Sequence, residues 1–323
     1  MELDKIVNKN LKMGKANQEV FAETLENLAA ADPSIIAVTS DSRGSGKLVP
    51  FGQKYPNQIV EVGIAEQNLV GVAAGLASAG KIPFAVSPAC FLTARALEQI
   101  KNDVAYSDNP VKLVGISAGV SYGALGTTHH SLHDFAVLRA INNITIVVPA
   151  DNFETEQAVR LAANLKQPIY LRFGKKSVPF LSEENQTFEI GKGRIIREGT
   201  DLTIIANGET VQHAWQAAEV LEQQEGITTK LISMHTIKPL DTELLDDLAK
   251  AGNPIITVEE HMVNGGLGEA CASYLFQQGA RNPFHIIGIP DEYTVTGSQN
   301  DIFKHYGISC DGIVAKAAFV LKN

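Results

Sequence analysis

Residues 60–91 read VEVGIAEQNLVGVAAGLASAGKIPFAVSPACF. A short apolar run meets a carboxylate, Glu66, in the opening turn of a helix rich in small residues (Gly71, Ala73, Ala74, Gly75, Ala77, Ala79). A second apolar run, IPFAVSP, follows, and then an aromatic, Phe91. The order is strand, helix, strand. It sets Glu66 at the carboxyl edge of a sheet and beside a helix N-terminus, where open α/β folds bind ligands.

The same alternation extends in both directions. Upstream, NQEVFAETLENLAA carries Val20, Phe21, Leu25 and Leu28 on one helical stripe that Asp32-Pro33 ends. SIIAVTS, residues 34–40, is a β-branched strand that runs into the loop DSRGSGK, with Asp41 at the strand's end. Downstream come TARALEQIKNDVAYSD, VKLVGISAG, LHDFAVLRAI, TIVVPA, FETEQAVRLAANL and IYLRF, helix and strand in turn. Such alternation predicts a largely parallel sheet covered on both faces.

The pattern lapses over residues 175–190, KKSVPFLSEENQTFEI, which reads as a linker, and a shorter α/β series follows it. LTIIANG, KLISMHTI, PIITVEEH and FHIIGIP are its strands, and a helix near IVAKAAFVL closes the chain. The fold class is therefore α/β with two doubly wound domains, residues 1–180 and 190–323. NGGLGEA, residues 264–270, lacks the GxGxxG spacing of a dinucleotide fingerprint and reads as a tight turn opening a helix.

Bulk properties narrow the function. At 323 residues and 45% hydrophobic content the chain can bury two ordinary cores. A formal charge of −9 without a Lys/Arg cluster argues against nucleic-acid binding. Cys90, Cys271 and Cys310 lie far apart with no CxxC spacing, which fits a reducing compartment better than a disulfide framework or thiolate metal site. MELDKIVNKN lacks the apolar core of a secretion signal. The most apolar windows are well short of the roughly 18 residues that would indicate a membrane span, so a soluble cytoplasmic protein is expected.

Each candidate site residue has a plainer reading. Glu66 could merely complement a helix macrodipole. The small residues after it suit close backbone approach at an interface or cofactor, or tight helix–sheet packing. Phe91 could pack in the core or stack on a flat heterocycle. GTTHHSLHD, residues 126–134, is the most chemically loaded loop. Its His129, His130 and His133 could be exposed polar residues. His129 and His133 have the i, i+4 spacing of helical zinc ligands, but no HExxH motif or third ligand accompanies them. The third reading is hydrogen bonding or proton exchange with a substrate.

Taken jointly, VEVGIAEQN, PACFLTARALEQIKNDVAY, GTTHHSL, VVPADNFETEQAVR, IYLRFGK and TVEEHMVNGGLGEA resemble the C-terminal part of transketolase. The chain looks most like the separately encoded C-terminal subunit of a split transketolase, over nearly its whole length. The resemblance implies thiamine diphosphate chemistry, in which the cofactor supplies the carbanion and the protein supplies geometry. Glu66 would then hydrogen-bond the aminopyrimidine ring, and Phe91, or Leu92 in the neighbouring register, would stack on it. His129, with His130 beside it, would hydrogen-bond the donor ketose, and Asp41 would lie near cofactor and interface. Ser45 and Arg172 match family substrate contacts.

The chain also departs from the family pattern. Leu125 stands where an acidic residue is usual, and Ser117 and Gly14 stand where a phosphate-binding histidine and arginine would fall. A donor other than the usual sugar phosphates is thereby implied, with a different anionic group or a branched chain. No GDG motif followed by an asparagine is present, so the resemblance assigns the diphosphate and its Mg2+ or Ca2+ to a partner N-terminal subunit, in an α2β2 assembly. No metal ligand is expected on this chain. Two other readings stay open: a β subunit of a 2-oxo acid dehydrogenase or deoxyxylulose-phosphate synthase-like enzyme, and a non-catalytic regulatory subunit.

Overall fold

The computed structural model describes residues 11–182 and 186–322, and the opening stretch MELDKIVNKN lies outside them. Strands are numbered in chain order. A short antiparallel ribbon joins β1 (Met13–Ala16) to β8 (Ser177–Pro179). The first main sheet contains β2 (Ile35–Thr39), β3 (Ile59–Glu61), β4 (Ile82–Pro88), β5 (Lys112–Ile116), β6 (Thr145–Val147), β7 (Ile169–Arg172) and β12 (Thr236–Lys238). They stand in the order β12-β6-β7-β5-β4-β2-β3, parallel except for β12. Every residue of β2, β5 and β7 is buried, as expected of parallel strands covered on both faces.

Period-two alternation divides their side chains between two cores. Val86 and Val114 face helices Asn17–Ala31 and Asn152–Asn164, meeting Phe21, Leu25 and Val159. Ala85 and Leu113 face the opposite side, meeting Leu69 and Val70 of helix Glu66–Ser78. The stripe on Asn17–Ala31 is rotated from the expected one. Phe21, Leu25 and Ala29 are buried, whereas Val20 and Leu28 are only half-buried.

The second sheet holds β9 (Arg194–Arg197), β10 (Leu202–Ala206), β11 (Thr229–Ser233), β13 (Ile255–Met262) and β14 (Phe284–Ile289), in the order β14-β13-β10-β11-β9. It too is parallel except for one edge strand, β9. The turn at NGGLGEA opens helix Leu267–Gln277, whose first backbone amides, Leu267 and Gly268, donate to the buried Glu259 carboxylate (2.7 and 2.9 Å).

Three local expectations give way to tertiary structure. KLISMHTI is not one strand of the second sheet: β11 ends at Ser233 and β12 crosses to the first sheet, where the backbone N–H of Val148 donates to the His235 carbonyl (2.7 Å). The crossing covers the β6 edge, which would otherwise present unpaired backbone groups. The expected linker also carries paired structure, since β8 pairs with β1 and Ser182 Oγ donates to Asp151 (2.6 Å). Finally, TARALEQIKNDVAYSD breaks into helix Ala89–Arg95, a turn at Leu97–Gln99 and a π-helical segment, Ile100–Tyr106. Such π segments recur near functional sites, and this one follows Arg95.

Candidate active-site cleft

β3 ends at Glu61, Gly63 turns the chain with φ of +72°, and helix Glu66–Ser78 begins. Glu66 is thus the first helical residue, and it is 4% exposed. Its carboxylate accepts from Nη1 of Arg95 at 3.0 and 3.1 Å. The Arg95 guanidinium carbon also lies 4.2 Å from the centre of the Phe91 ring, one helical turn earlier. Phe91 lines the cleft, whereas Leu92 is buried in the core beneath the sheet. Arg95 was not singled out in the sequence; its i, i+4 spacing from Phe91 was the only signal available.

The cleft, about 420 Å³, lies between the two sheets and is lined by Phe91, Arg95, Thr127, His130, Met262 and Thr294 among others. His129 is half-buried at its side, with its ring edge-on to Phe91 (5.3 Å between centroids) and to Tyr122 (5.6 Å). Its Nδ1 is 3.0 Å from Thr128 Oγ1. The chain from His129 to His133 is not helical, because the next helix, Asp134–Arg139, starts only after His133. The zinc-like i, i+4 geometry is therefore not formed. Among the described residues no three His, Cys, Asp or Glu side chains gather as a metal site.

His130 departs from its expected role as a substrate contact. It is 3% exposed. Nε2 lies 3.0 Å from the Gly123 carbonyl oxygen, an acceptor only, so Nε2 carries the proton. Burial lowers its pKa from the ordinary imidazole value, so the ring is neutral and Nδ1 accepts from Thr294 Oγ1 at 2.7 Å. Both nitrogens are engaged by the protein, so His130 pins the loop while lining the cleft.

Ser45 and Ser117 do meet, at a residue the sequence pattern did not mark. Both lie near the Tyr122 hydroxyl, whose phenol is pushed up by burial. Ser117 is buried with φ of +50°, and its Oγ is 3.4 Å from Gln18 Oε1. Exposed Lys175 places Nζ 5.0 Å from the centre of the Tyr122 ring. His129 and Lys175 thus both stand against the Tyr122 ring, with Ser45 and Ser117 nearby. Asp41 lies at the carboxyl end of β2 with φ of +54°, its N–H donating to Glu61 Oε1 (2.6 Å). Burial works against the Glu61 carboxylate, yet hydrogen bonds from Asp41, Thr39 and Gly63, with Arg43 nearby, hold its pKa below the usual value.

Arg172, expected to hold an anionic substrate tail, is 4% exposed and points into the protein. Nε donates to Asp134 (2.8 Å), and Nη2 donates to the carbonyls of Ser131 (3.1 Å) and Glu260 (2.9 Å). Nη1 faces the Glu260 carboxylate at 3.8 Å, and the guanidinium lies over Phe135 at 4.6 Å. The reason is tertiary: Glu260 comes from β13, and its side chain also accepts from the Val120 N–H (2.9 Å) and Gln299 Nε2 (2.8 Å). Arg172 therefore ties the two sheets together, as does the buried pair Arg194–Glu154 (2.6 Å).

Comparison with known proteins agrees with this layout. The family model for the transketolase pyrimidine binding domain matches residues 13–180, and that for the transketolase C-terminal domain matches residues 191–313. An apulose-4-phosphate transketolase subunit of Phocaeicola vulgatus is 47% identical over 309 residues, covering 95% of this chain and 98% of that one. A 6-deoxy-6-sulfo-D-fructose transketolase subunit of Clostridium sp. strain MSTE9 is 33% identical over 300 residues, 93% of this chain and 92% of that one. Among solved structures, a split-gene transketolase described as an inactive β4 tetramer superposes with a TM-score of 0.86. It is 34% identical, with 96% of this chain and 99% of that chain covered.

Proposed function

The chain belongs to the transketolase family, and on that premise we propose that it is the pyrimidine-binding, C-terminal subunit of a two-chain transketolase that transfers a two-carbon ketol unit from a ketose to an aldose. One observation carries the reading. A buried carboxylate at a helix N-terminus reaches, through Arg95, an aromatic face that also meets an imidazole edge, and Phe91 and Arg95 line a cleft between the two sheets.

The residues fit the pyrimidine half of thiamine diphosphate. Glu66 offers an acceptor beside the flat surface of Phe91. The diphosphate and its Mg2+ or Ca2+ are assigned to a partner N-terminal subunit in an α2β2 assembly, with active sites where the chains meet. Gly71 and Gly75 leave room for such an assembly, since among the described residues nothing beyond their own helix backbone lies within 4 Å of where their side chains would begin. When bound, the cofactor supplies the carbanion that cleaves the donor's C–C bond. Glu66 binds and orients the ring, and His129 holds the donor near its reacting carbonyl and exchanges a proton there. A cytoplasmic location follows from the substrates of such a reaction.

Lys175, Tyr122, Ser45 and Ser117 replace Arg172 as the wall for an anionic tail. The 47% identity to an apulose-4-phosphate transketolase subunit favours a branched ketose phosphate as donor. The test is reconstitution with an N-terminal subunit carrying the GDG and asparagine motif, then assay of apulose 4-phosphate, xylulose 5-phosphate and pyruvate. Ketol transfer preferring the branched donor is the expected result. Equal or better kinetics on xylulose 5-phosphate would overturn the substrate assignment, and turnover of pyruvate without ketol transfer would overturn the activity.

A further inference from the structure

We propose that Thr294, contributed by the second sheet's unit, is a positioning residue for the histidine loop of the first: its hydroxyl ties His130 to Thr127 and thereby sets where His129 stands. The proposal rests on the functional reading above for its kinetic consequence, but its geometry is independent of it.

The hydrogen bonds have a single self-consistent direction. The Gly123 carbonyl can only accept, so the proton on His130 is on Nε2. Nδ1 must then accept, and the Thr294 hydroxyl is its donor at 2.7 Å. With that proton committed, Thr294 Oγ1 accepts from the Thr127 hydroxyl at 3.1 Å. The chain Thr127, Thr294, His130, Gly123 therefore crosses from first unit to second and back. It clamps the residues on either side of Thr128 and the neighbouring His129, whose own backbone N–H is held by the Gly126 carbonyl (2.9 Å).

Two glycines show how closely the loops nest. Gly123, with φ of +49°, would put a Cβ 2.6 Å from the Gly297 carbonyl, and Gly126, with φ of +74°, would put one 3.0 Å from Thr296 Cγ2. Neither position accepts a side chain easily, for reasons of both φ and space. Thr294 is 8% exposed, so water is a poor substitute for its hydroxyl. The second unit thus forms part of the cleft's back wall and orients the group that meets the donor sugar, without touching the reacting atoms. Hydrogen-bonded partners behind a functional imidazole commonly fix its ring orientation in this way.

The decisive variants are Thr294→Val, which keeps the shape and removes the hydroxyl, and Thr294→Ser, which keeps the hydroxyl. In the reconstituted complex, T294V is expected to lower kcat roughly 10- to 100-fold with little change in the KM of the cofactor, because a small displacement of a substrate-orienting group acts on the chemical step. T294S should return kcat to within about twofold of the parent. Nitrogen-15 histidine NMR of the free chain at pH 8 should find His130 protonated on Nε2, with the Nδ1 resonance shifted in T294V as its hydrogen bond is lost. Parental kcat in T294V, failure of a folded T294S to restore it, or a parental His130 protonated on Nδ1 would each overturn the proposal. Should the parental complex show no ketol transfer, the functional reading fails instead, and the NMR comparison still decides whether Thr294 donates to His130 Nδ1.

Discussion

Arg95 Nη1 stands 3.0 and 3.1 Å from the two carboxylate oxygens of Glu66. The pair is unequal, since the Arg95 side chain is 49% exposed and that of Glu66 only 5%. Arg95 also covers the face of Phe91. A flat ring placed on that face and bonded to Glu66 must displace the guanidinium from both. Arg95 is half-exposed, so it can swing into water.

Glu66→Gln separates chemistry from folding. The amide keeps an oxygen for Arg95, so denaturation midpoints should move by no more than about 1 kcal/mol. Ketol transfer by the reconstituted complex should drop by about 10²- to 10⁴-fold, the usual contribution of a proton-exchanging group. Activity within a factor of three of the parent would remove Glu66 from the mechanism.

Arg95→Met tests the displacement. Losing a half-exposed ion pair and leaving Glu66 without that partner should destabilise the free chain by about 1 kcal/mol, once solvent screening is allowed for. Cofactor affinity of the complex, followed by fluorescence quenching, should be unchanged or tighter. A weakening of several-fold would mean that Arg95 stays in place when the cofactor arrives.

Lys175→Met and Arg172→Met should differ in kind. Lys175 is exposed beside Tyr122, so its loss should raise KM for a phosphorylated donor about tenfold, or about 1.4 kcal/mol, with kcat and stability preserved. Arg172 holds Asp134 and Glu260 inside the protein, so its removal leaves buried charge uncompensated and should destabilise by about 3–5 kcal/mol. A folded R172M with a selective KM defect would return Arg172 to the substrate site.

Three buried histidines predict acid sensitivity. Burial lowers the pKa of His213 to about 4, His235 to about 3 and His261 to about 4. The unfolded chain binds protons at these sites below about pH 6.5 while the folded chain does not. Stability is therefore lost as pH falls from about 6.5 toward 4, by up to about 1.4 kcal/mol per pH unit for each histidine. Glu154, Glu209 and Glu259, raised by burial to about 7, about 7 and about 8, act in the opposite sense, losing stability as pH rises through that range. The difference between parent and His213→Leu isolates one histidine. Urea midpoints at pH 5.5 and 7 should show a shallower acid loss in the variant, and identical slopes would refute the assignment.

Much of the architecture was legible before any coordinates. Parallel strands covered on both faces must be apolar throughout, so β2, β5 and β7 announce themselves as unbroken runs between helical segments. Glu66 was legible because strand, turn and helix N-terminus are contiguous in the chain. Phe91 and His129 come together from the segments that follow β4 and β5. β12 was not legible, since an eight-residue apolar stretch gives no sign that its halves belong to different sheets.

The amino-acid order alone determined the two α/β units, the edge at which the cleft lies and the carboxylate at its helix start, because each depends on periodicities within about twenty residues. Which polar groups face one another was decided only in three dimensions. Thr294 reaches His130 across 164 positions, and Arg172 reaches the Glu260 carbonyl across 88. A polar side chain finds its partner through the packing of entire sheets. Burial then turns an arginine expected to greet substrate into a tie between domains, and leaves the exposed Lys175 beside the tyrosine.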